Sequence, residues 1–147
     1  MAITTATNVP NQAKTYLEPG DAVTCLVGGT AVLGRHFVKV TTGGLGNHPT
    51  VIPATVGGPK PYGVAHFDAA IATDVSVLRQ GTTVGVIAGE ALTSGDEVSV
   101  GTAGVAMKAS ATTQSGTTPF AVTFGLVAVG VCTADTAINV EAPITLY

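Results

Sequence analysis

The chain has 147 residues, of which Gly, Thr, Val and Ala supply 84, whereas charged residues supply only 10% against roughly 25% in ordinary soluble domains. The length predicts one domain with a packed core, and six basic against nine acidic residues exclude a protein that neutralises nucleic-acid phosphates with clustered Lys and Arg. No apolar run approaches the ~20 residues that span a bilayer, which argues against a membrane protein.

Residues 1–15 are dominated by Thr, Ala, Asn and Gln, contain Pro10 and show no periodicity. We expect them to form an extended N-terminal arm that is ordered only by contact with something else. Residues 16–147 carry strand signals throughout and are predicted to form the folded domain.

The first half of this domain alternates strands with turns. Pro19, Gly20 and Asp21 predict a turn into a strand AVTCLV at 22–27, and the alternation in HFVKVTT from His36 predicts a half-buried strand. The Gly- and Pro-rich stretch 43–61 is expected to be an irregular loop with at most one short strand near Val51.

The second half is more regular. Asp68–Ala72 is the only helix candidate and could equally be a turn, while Ser110–Thr118 reads as a link. Strands are predicted at 62–67, 74–79, 83–88, 97–100, 105–108, 120–131 and 136–141. About ten short strands separated by turns predict an all-β fold, a single compact barrel or sandwich.

A weak internal repeat accompanies these strands. Gly20–Thr24 resembles Gly95–Ser99, and Gly63–Val77 runs beside Gly125–Val140 with one residue inserted. The pattern indicates a repeated unit in which an Ala/Asp/Thr turn reverses the chain into a Val-rich strand, although chance similarity is also plausible in so biased a composition.

The acidic residues give no sign of catalysis. Most of them stand beside Gly, Pro, Ser or Thr at predicted turns, where turn capping explains them. Asp96 and Glu97 are adjacent, so in a strand their side chains point to opposite faces and cannot act as an acid and base pair. We therefore expect no enzyme.

The remaining chemistry-bearing residues are equally dispersed. His36, His48 and His66 form no HxH or HxxxH pattern, and the sequence has no CxxC, so no metal is expected. The glycines at 81, 85 and 89 follow neither a phosphate-loop nor a dinucleotide pattern, so no cofactor is expected either.

Cys25 and Cys132 are the two cysteines. The N-terminus shows no secretion signal, which predicts folding in a cytoplasm, where cysteines stay reduced and behave as small core hydrophobes. A disulfide between them is the alternative.

The low charge points to the surface. A domain with so few charged groups exposes much Thr, Ser, Ala and backbone, which are easily desolvated against a partner, although formation of a homo-oligomer alone would also explain it. An extended arm would add contact area, for instance as a strand at a neighbouring sheet edge.

Several segments, in their order and spacing, resemble the small capsid decoration proteins of tailed bacteriophages, and together they cover nearly everything after Tyr16. They are PGDAVTC (19–25), GRHFVKVT (34–41), KPYGVAHFDAA (60–70), DVSVLRQG (74–81), VIAGEALTSGDEVSVGTAGVA (86–106) and GLVAVGVCTADTAINVEAPITLY (125–147). The resemblance implies a non-enzymatic structural protein, made in the host cytoplasm, that binds the outer capsid surface in the virion and stabilises the major capsid protein lattice. It also implies a homo-oligomer, with a trimer as the expected state. It gives no individual contact residues.

The arm supplies our candidate contacts with the capsid or with neighbouring subunits, namely Val9, Pro10, Tyr16 and Leu17, its few apolar anchors. Deleting residues 2–15 is expected to weaken occupancy on expanded heads, counted by electron microscopy, without unfolding the barrel. Unchanged occupancy would contradict this hypothesis.

Two other functions compete with this one. A small β-barrel that binds carbohydrate or a cell surface is the main alternative, although the tyrosines and phenylalanines show no cluster at one loop end. A hydrolase is the least favoured, because the carboxylates and histidines are dispersed.

Overall fold

A computed structural model describes residues 15–17, 22–41, 48–79, 81, 83–110, 113–115, 121–123 and 125–147. Within these ranges the regular elements are strands apart from a short 3-10 helix at Thr102–Gly104. The strands are β1 (Thr15–Leu17), β2 (Ala22–Val27), β3 (Phe37–Val40), β4 (Thr50–Pro53), β5 (Gly63–Ala65), β6 (Asp74–Leu78), β7 (Thr83–Ile87), β8 (Glu97–Val100), β9 (Ala106–Lys108), β10 (Thr113–Ser115), β11 (Ala121–Thr123), β12 (Gly130–Cys132) and β13 (Glu141–Leu146). The all-β prediction is confirmed. No helix in the described part is long and apolar enough to span a membrane.

The first unit is a closed barrel of five strands in the order β2-β4-β3-β5-β6. β2 pairs antiparallel with β6 along its length and parallel with β4 at Leu26 and Val27. Alternate side chains of these strands point inward, as the period of two requires. They form the first core: Cys25, Val27, Val32, Val38, Val51, Ala65, Ala69, Val75 and Val77.

The second unit is a six-stranded sheet in the order β1-β7-β13-β12-β8-β9. A parallel bridge between Ala88 and Ala106 joins β9 back to the end of β7, at the place where β2 meets β4 in the first unit. The interior of the second unit is the second core, which includes Val84, Val86, Val98, Cys132 and Ile144. β1 extends the sheet by pairing with β7.

The two units repeat the same backbone hydrogen-bond pattern. The Gly28 amide donates to the Val51 carbonyl in the first unit as the Gly89 amide donates to that of Ala106 in the second, both at 2.8 Å. The bond from Arg35 to Ala65 matches the bond from Gly95 to Cys132, both at 2.8 Å. The bond from Tyr62 to Val38 matches the bond from Val129 to Val98, both at 2.7 Å. The two units therefore share one backbone arrangement at these positions.

The sequence comparison found a repeat but in the wrong register. The structural counterpart of Gly95 is Arg35, not Gly20. Both residues have positive φ, 93° and 63°, and each lies two positions before the corresponding strand of its unit, β8 or β3. The counterpart of Gly63 is Gly130, not Gly125, because these two glycines occupy the same ladder position. An Arg in a left-handed conformation gives no sequence signal of the turn it makes, which explains the error.

The units contact each other through the outer face of the first barrel. Phe37 and Leu78 belong to strands of the first unit, but their side chains pack in the second core. Gly104, with φ of 83°, lies so close to the Phe37 backbone that a side chain there would overlap it. An ion pair of 3.2 Å between Arg35 and Glu141 also joins the units.

Several predicted elements needed correction. The strand expected at 136–141 instead begins at Glu141 and continues to Leu146, because 137–140 form a turn in which Asn139 has positive φ. The stretch 120–131 contains two strands, β11 and β12, and the supposed link at 110–118 contains β10, which pairs with β11. Of the two structures left open for Asp68–Ala72, a helix or a turn, the turn is found, at Ile71 and Ala72.

The predicted arm falls almost wholly outside the described residues. Only Thr15 is described, as the first residue of β1. The division into an arm at 1–15 and a domain at 16–147 stays a prediction.

Candidate interaction surface

Two of the described aspartates hold turns, as their sequence context predicted. Asp68 accepts a hydrogen bond from the Gly34 amide, and Asp135 accepts one from the Ser94 amide, both at 2.8 Å. These two aspartates hold equivalent turns in the two units.

Asp96 combines a turn with an ion pair. Its carboxylate accepts the Thr93 amide at 2.7 Å and lies 3.1 Å from Lys108 Nζ. The hydrogen bond from the Thr93 backbone, followed by the bond from Lys108, lowers the pKa of Asp96 below its usual value. These bonds favour the ionised form, which suits a turn cap rather than a proton donor.

The histidines lie apart in different surroundings. His36 Nδ1 is 2.8 Å from the Gly34 carbonyl, His48 is exposed, and the His66 ring lies 5.9 Å from that of Phe67. Burial lowers the pKa of His66, which favours its neutral form. In the ranges the structure describes, no three His, Cys, Asp or Glu side chains gather in a way that could hold a metal ion.

The two cysteines lie in different cores. Cys25 belongs to the first core and Cys132 to the second, and both are buried free thiols. The expectation that each acts as a small core hydrophobe is confirmed, and no disulfide joins them. Burial raises the pKa of Cys25, an effect that nearby Arg79 partly offsets.

Buried thiols should be unreactive in the folded protein. We expect Ellman's reagent to label neither cysteine in native buffer and both after denaturation, because the thiolate must be solvent-accessible to attack. Colorimetric thiol counts with and without guanidinium test this. Rapid labelling of the native protein would contradict the burial of both side chains.

Large apolar side chains are exposed at equivalent places in the two units. Ile71 and Ile138 occupy the same position of the repeated turn, and each is 55% exposed. The other exposed large apolar residues in the described ranges are Leu33, Val40, Val56, Val127, Val140 and Tyr147. Singly exposed apolar residues are common, so they are consistent with a partner-facing surface but do not locate one.

The four candidate contact residues of the arm are only partly described. Val9 and Pro10 lie outside the described residues. Tyr16 and Leu17 lie in β1, which pairs with β7 of the same chain, Thr15 opposite Val84 and Leu17 opposite Thr83. The backbone here is therefore paired within the chain, and contacts of these residues with a shell or a neighbour stay a prediction.

A cleft between the two units was not anticipated from the sequence. It encloses about 200 Å³ and is lined by Phe37, Lys60, Pro61, Tyr62, Gly63, Arg79, Val129, Leu146 and Tyr147. The Arg79 guanidinium stacks on the Tyr62 ring, with Cζ 4.1 Å from the ring centroid. A second cleft of about 170 Å³ shares Lys60, Pro61 and Val129 with it. The surface between the units therefore offers concave sites of side-chain size.

Comparison with known proteins gives a structural match. Neither a family model nor a curated protein matches the chain. Among solved structures, the chain is similar to the N base of the head fiber gp8.5 in bacteriophage phi29, with a TM-score of 0.58 and 15% sequence identity. The match covers 86% of this chain and 93% of that one, so the likeness extends over nearly the whole of the phage base. At this identity it is a likeness of fold.

Proposed function

We propose that the protein is a non-enzymatic decoration protein of a tailed-phage head, which binds the outer surface of the assembled capsid and stabilises the major capsid protein lattice. The observation that carries the proposal is the fold shared with the phi29 head fiber base over 93% of that chain. The resemblance of the ordered sequence segments to capsid decoration proteins points the same way. Neither argument depends on a catalytic group.

Binding alone would perform this function. A protein that binds only the assembled lattice stabilises each site by RT ln(1 + [L]/Kd), where [L] is its free concentration. Contacts with two neighbouring capsomers would make their separation cost both interfaces at once. A surface with few charges suits such docking, because uncharged Thr, Ala and backbone groups are easier to strip of water than charged groups.

The decisive experiment mixes the purified chain with empty expanded heads and images them by cryo-electron microscopy. We expect added density at regular positions on the outer surface, and decorated heads should withstand a higher temperature than bare ones. Unexpanded heads serve as the control for the lattice state. Absence of ordered density at saturating protein would overturn the proposal, and glycan-array binding in its place would favour the carbohydrate-binding alternative.

The oligomeric state needs its own measurement. The resemblance to decoration proteins leads us to expect a homotrimer, so light scattering coupled to gel filtration should give about three times the monomer mass of 14.5 kDa. A monomer at micromolar concentration would contradict a preformed trimer.

A further inference from the structure

The cleft between the units contains two residues that the fold itself does not require. Tyr62 and Arg79 occupy the positions that Val129 and Leu146 occupy in the second unit. Val129 and Leu146 are buried members of the second core. The same backbone arrangement therefore forms with two apolar side chains at these positions, so the fold does not explain why the first unit has Tyr62 and Arg79 there.

Among the described residues, the cationic groups of this cleft have no acidic partner. Elsewhere Arg35 pairs with Glu141 and Lys108 pairs with Asp96. In the part of the chain that the structure describes, neither Lys60 nor Arg79 forms an ion pair, and the buried Nε of Arg79 has no hydrogen-bond partner. A buried N–H without an acceptor costs stability, which marks Arg79 as a residue whose hydrogen bonds the described fold does not supply.

The geometry favours a carboxylate as that acceptor. Contact with the Tyr62 ring, whose centroid lies 4.1 Å from Cζ, does not use the N–H donors of the guanidinium. Such a fork binds a carboxylate through two parallel hydrogen bonds, and Lys60 adds a second positive charge at the same cleft. The apolar lining from Phe37, Pro61 and Leu146 would contact the methylene groups of an acidic side chain.

The size of the cleft favours one side chain over a larger ligand. Pockets for drug-sized ligands enclose about 300–1,000 Å³, whereas this one encloses about 200 Å³. We infer that the cleft docks a Glu or Asp side chain from the surface of a protein partner. The identity of that partner as a head protein rests on the proposed function.

The chemistry is tested with the full-length chain and a small probe. Nitrogen-15 NMR spectra are followed during titration with N-acetyl-glutamate N-methylamide, with the glutamine analogue as the neutral control. We expect saturable shifts of the amides of Gly63, Val129 and Tyr147 with the glutamate probe and none with the glutamine probe. Equal responses to both probes would overturn the inference.

Variants assign the response to the cleft. Arg79→Leu copies the residue of the second unit and should fold, yet it should weaken probe binding about tenfold or more through loss of the charged fork. Lys39→Gln removes a charge outside the cleft and should bind like the wild type. If Arg79→Leu does not fold, Arg79→Gln takes its place. Undiminished binding by the folded Arg79 variant would overturn the inference.

Two further probes separate the possible sources of the anion. Inorganic phosphate or N-acetylneuraminic acid that binds at least tenfold more tightly than the glutamate probe would overturn the assignment to an acidic side chain.

On expanded heads, Arg79→Leu should lower occupancy about tenfold at limiting protein. If wild-type and variant chains decorate heads equally, the inference fails while the proposed function stands. If the glutamate probe binds but no head is decorated, the carboxylate site stands while the proposed function fails.

Discussion

Replacing Phe37 by Ala is expected to lower the free energy of unfolding by about 3–5 kcal/mol, the range typical of deleting a buried aromatic ring. Phe37 is wholly buried and is among the largest fully buried side chains of the described residues. It belongs by chain position to β3 of the first barrel but packs in the second core. Its loss therefore removes volume at the contact between the two units, where neither unit can close the gap alone.

Val38→Ala is the matched control for this variant. Val38 is the next residue on the same strand, equally buried, but it points into the first core. Its two lost carbons predict a smaller effect, about 2 kcal/mol. Urea unfolding followed by far-ultraviolet circular dichroism measures both, since the chain has no Trp to report by fluorescence. A cost for Phe37→Ala below that for Val38→Ala would contradict the packing of the units described above.

The strands were predictable where alternation alone defines them. β2 and β8 have the predicted bounds, 22–27 and 97–100, because each is a short segment in which β-branched residues recur between turn residues. The start of β13 was not predictable in the same way. The preceding turn places Asn139 at positive φ, and its counterpart in the first unit is Ala72, a residue that rarely marks such a turn.

The cleft was missed because no local pattern connects its residues. Tyr62 and Arg79 approach each other only because β5 pairs antiparallel with β6, which is a fact of topology rather than of spacing. One sequence signal was available in principle. When the repeat is aligned in its correct register, Arg79 corresponds to Leu146, which is buried in the second core. A charged residue that replaces a core residue in one copy marks a site that the fold does not explain.

Replacing Gly130 by Ala should destabilise the protein by about 1–3 kcal/mol, the cost typical of overpacking. A Cβ at this position would overlap the Thr145 carbonyl and crowd the Ile144 side chain. Both belong to β13, which pairs with β12 at this point, so relief of the overlap would break that pairing. Gly63→Ala should cost a similar amount, because a Cβ there would overlap the carbonyl of Leu78 and the side chain of Val77 in the same way.

Gly29→Ala provides the control. Nothing lies within 4 Å of a Cβ at Gly29, and its backbone does not have positive φ. The substitution should be neutral or should stabilise the protein by about 0.4–1 kcal/mol, because Ala lowers the entropy of the unfolded chain. Urea unfolding of the three variants side by side tests whether both units impose the same restriction. A neutral effect of Gly130→Ala beside a costly Gly63→Ala would mean that the β12 to β13 ladder is looser than its counterpart, and that the two units do not share one backbone geometry.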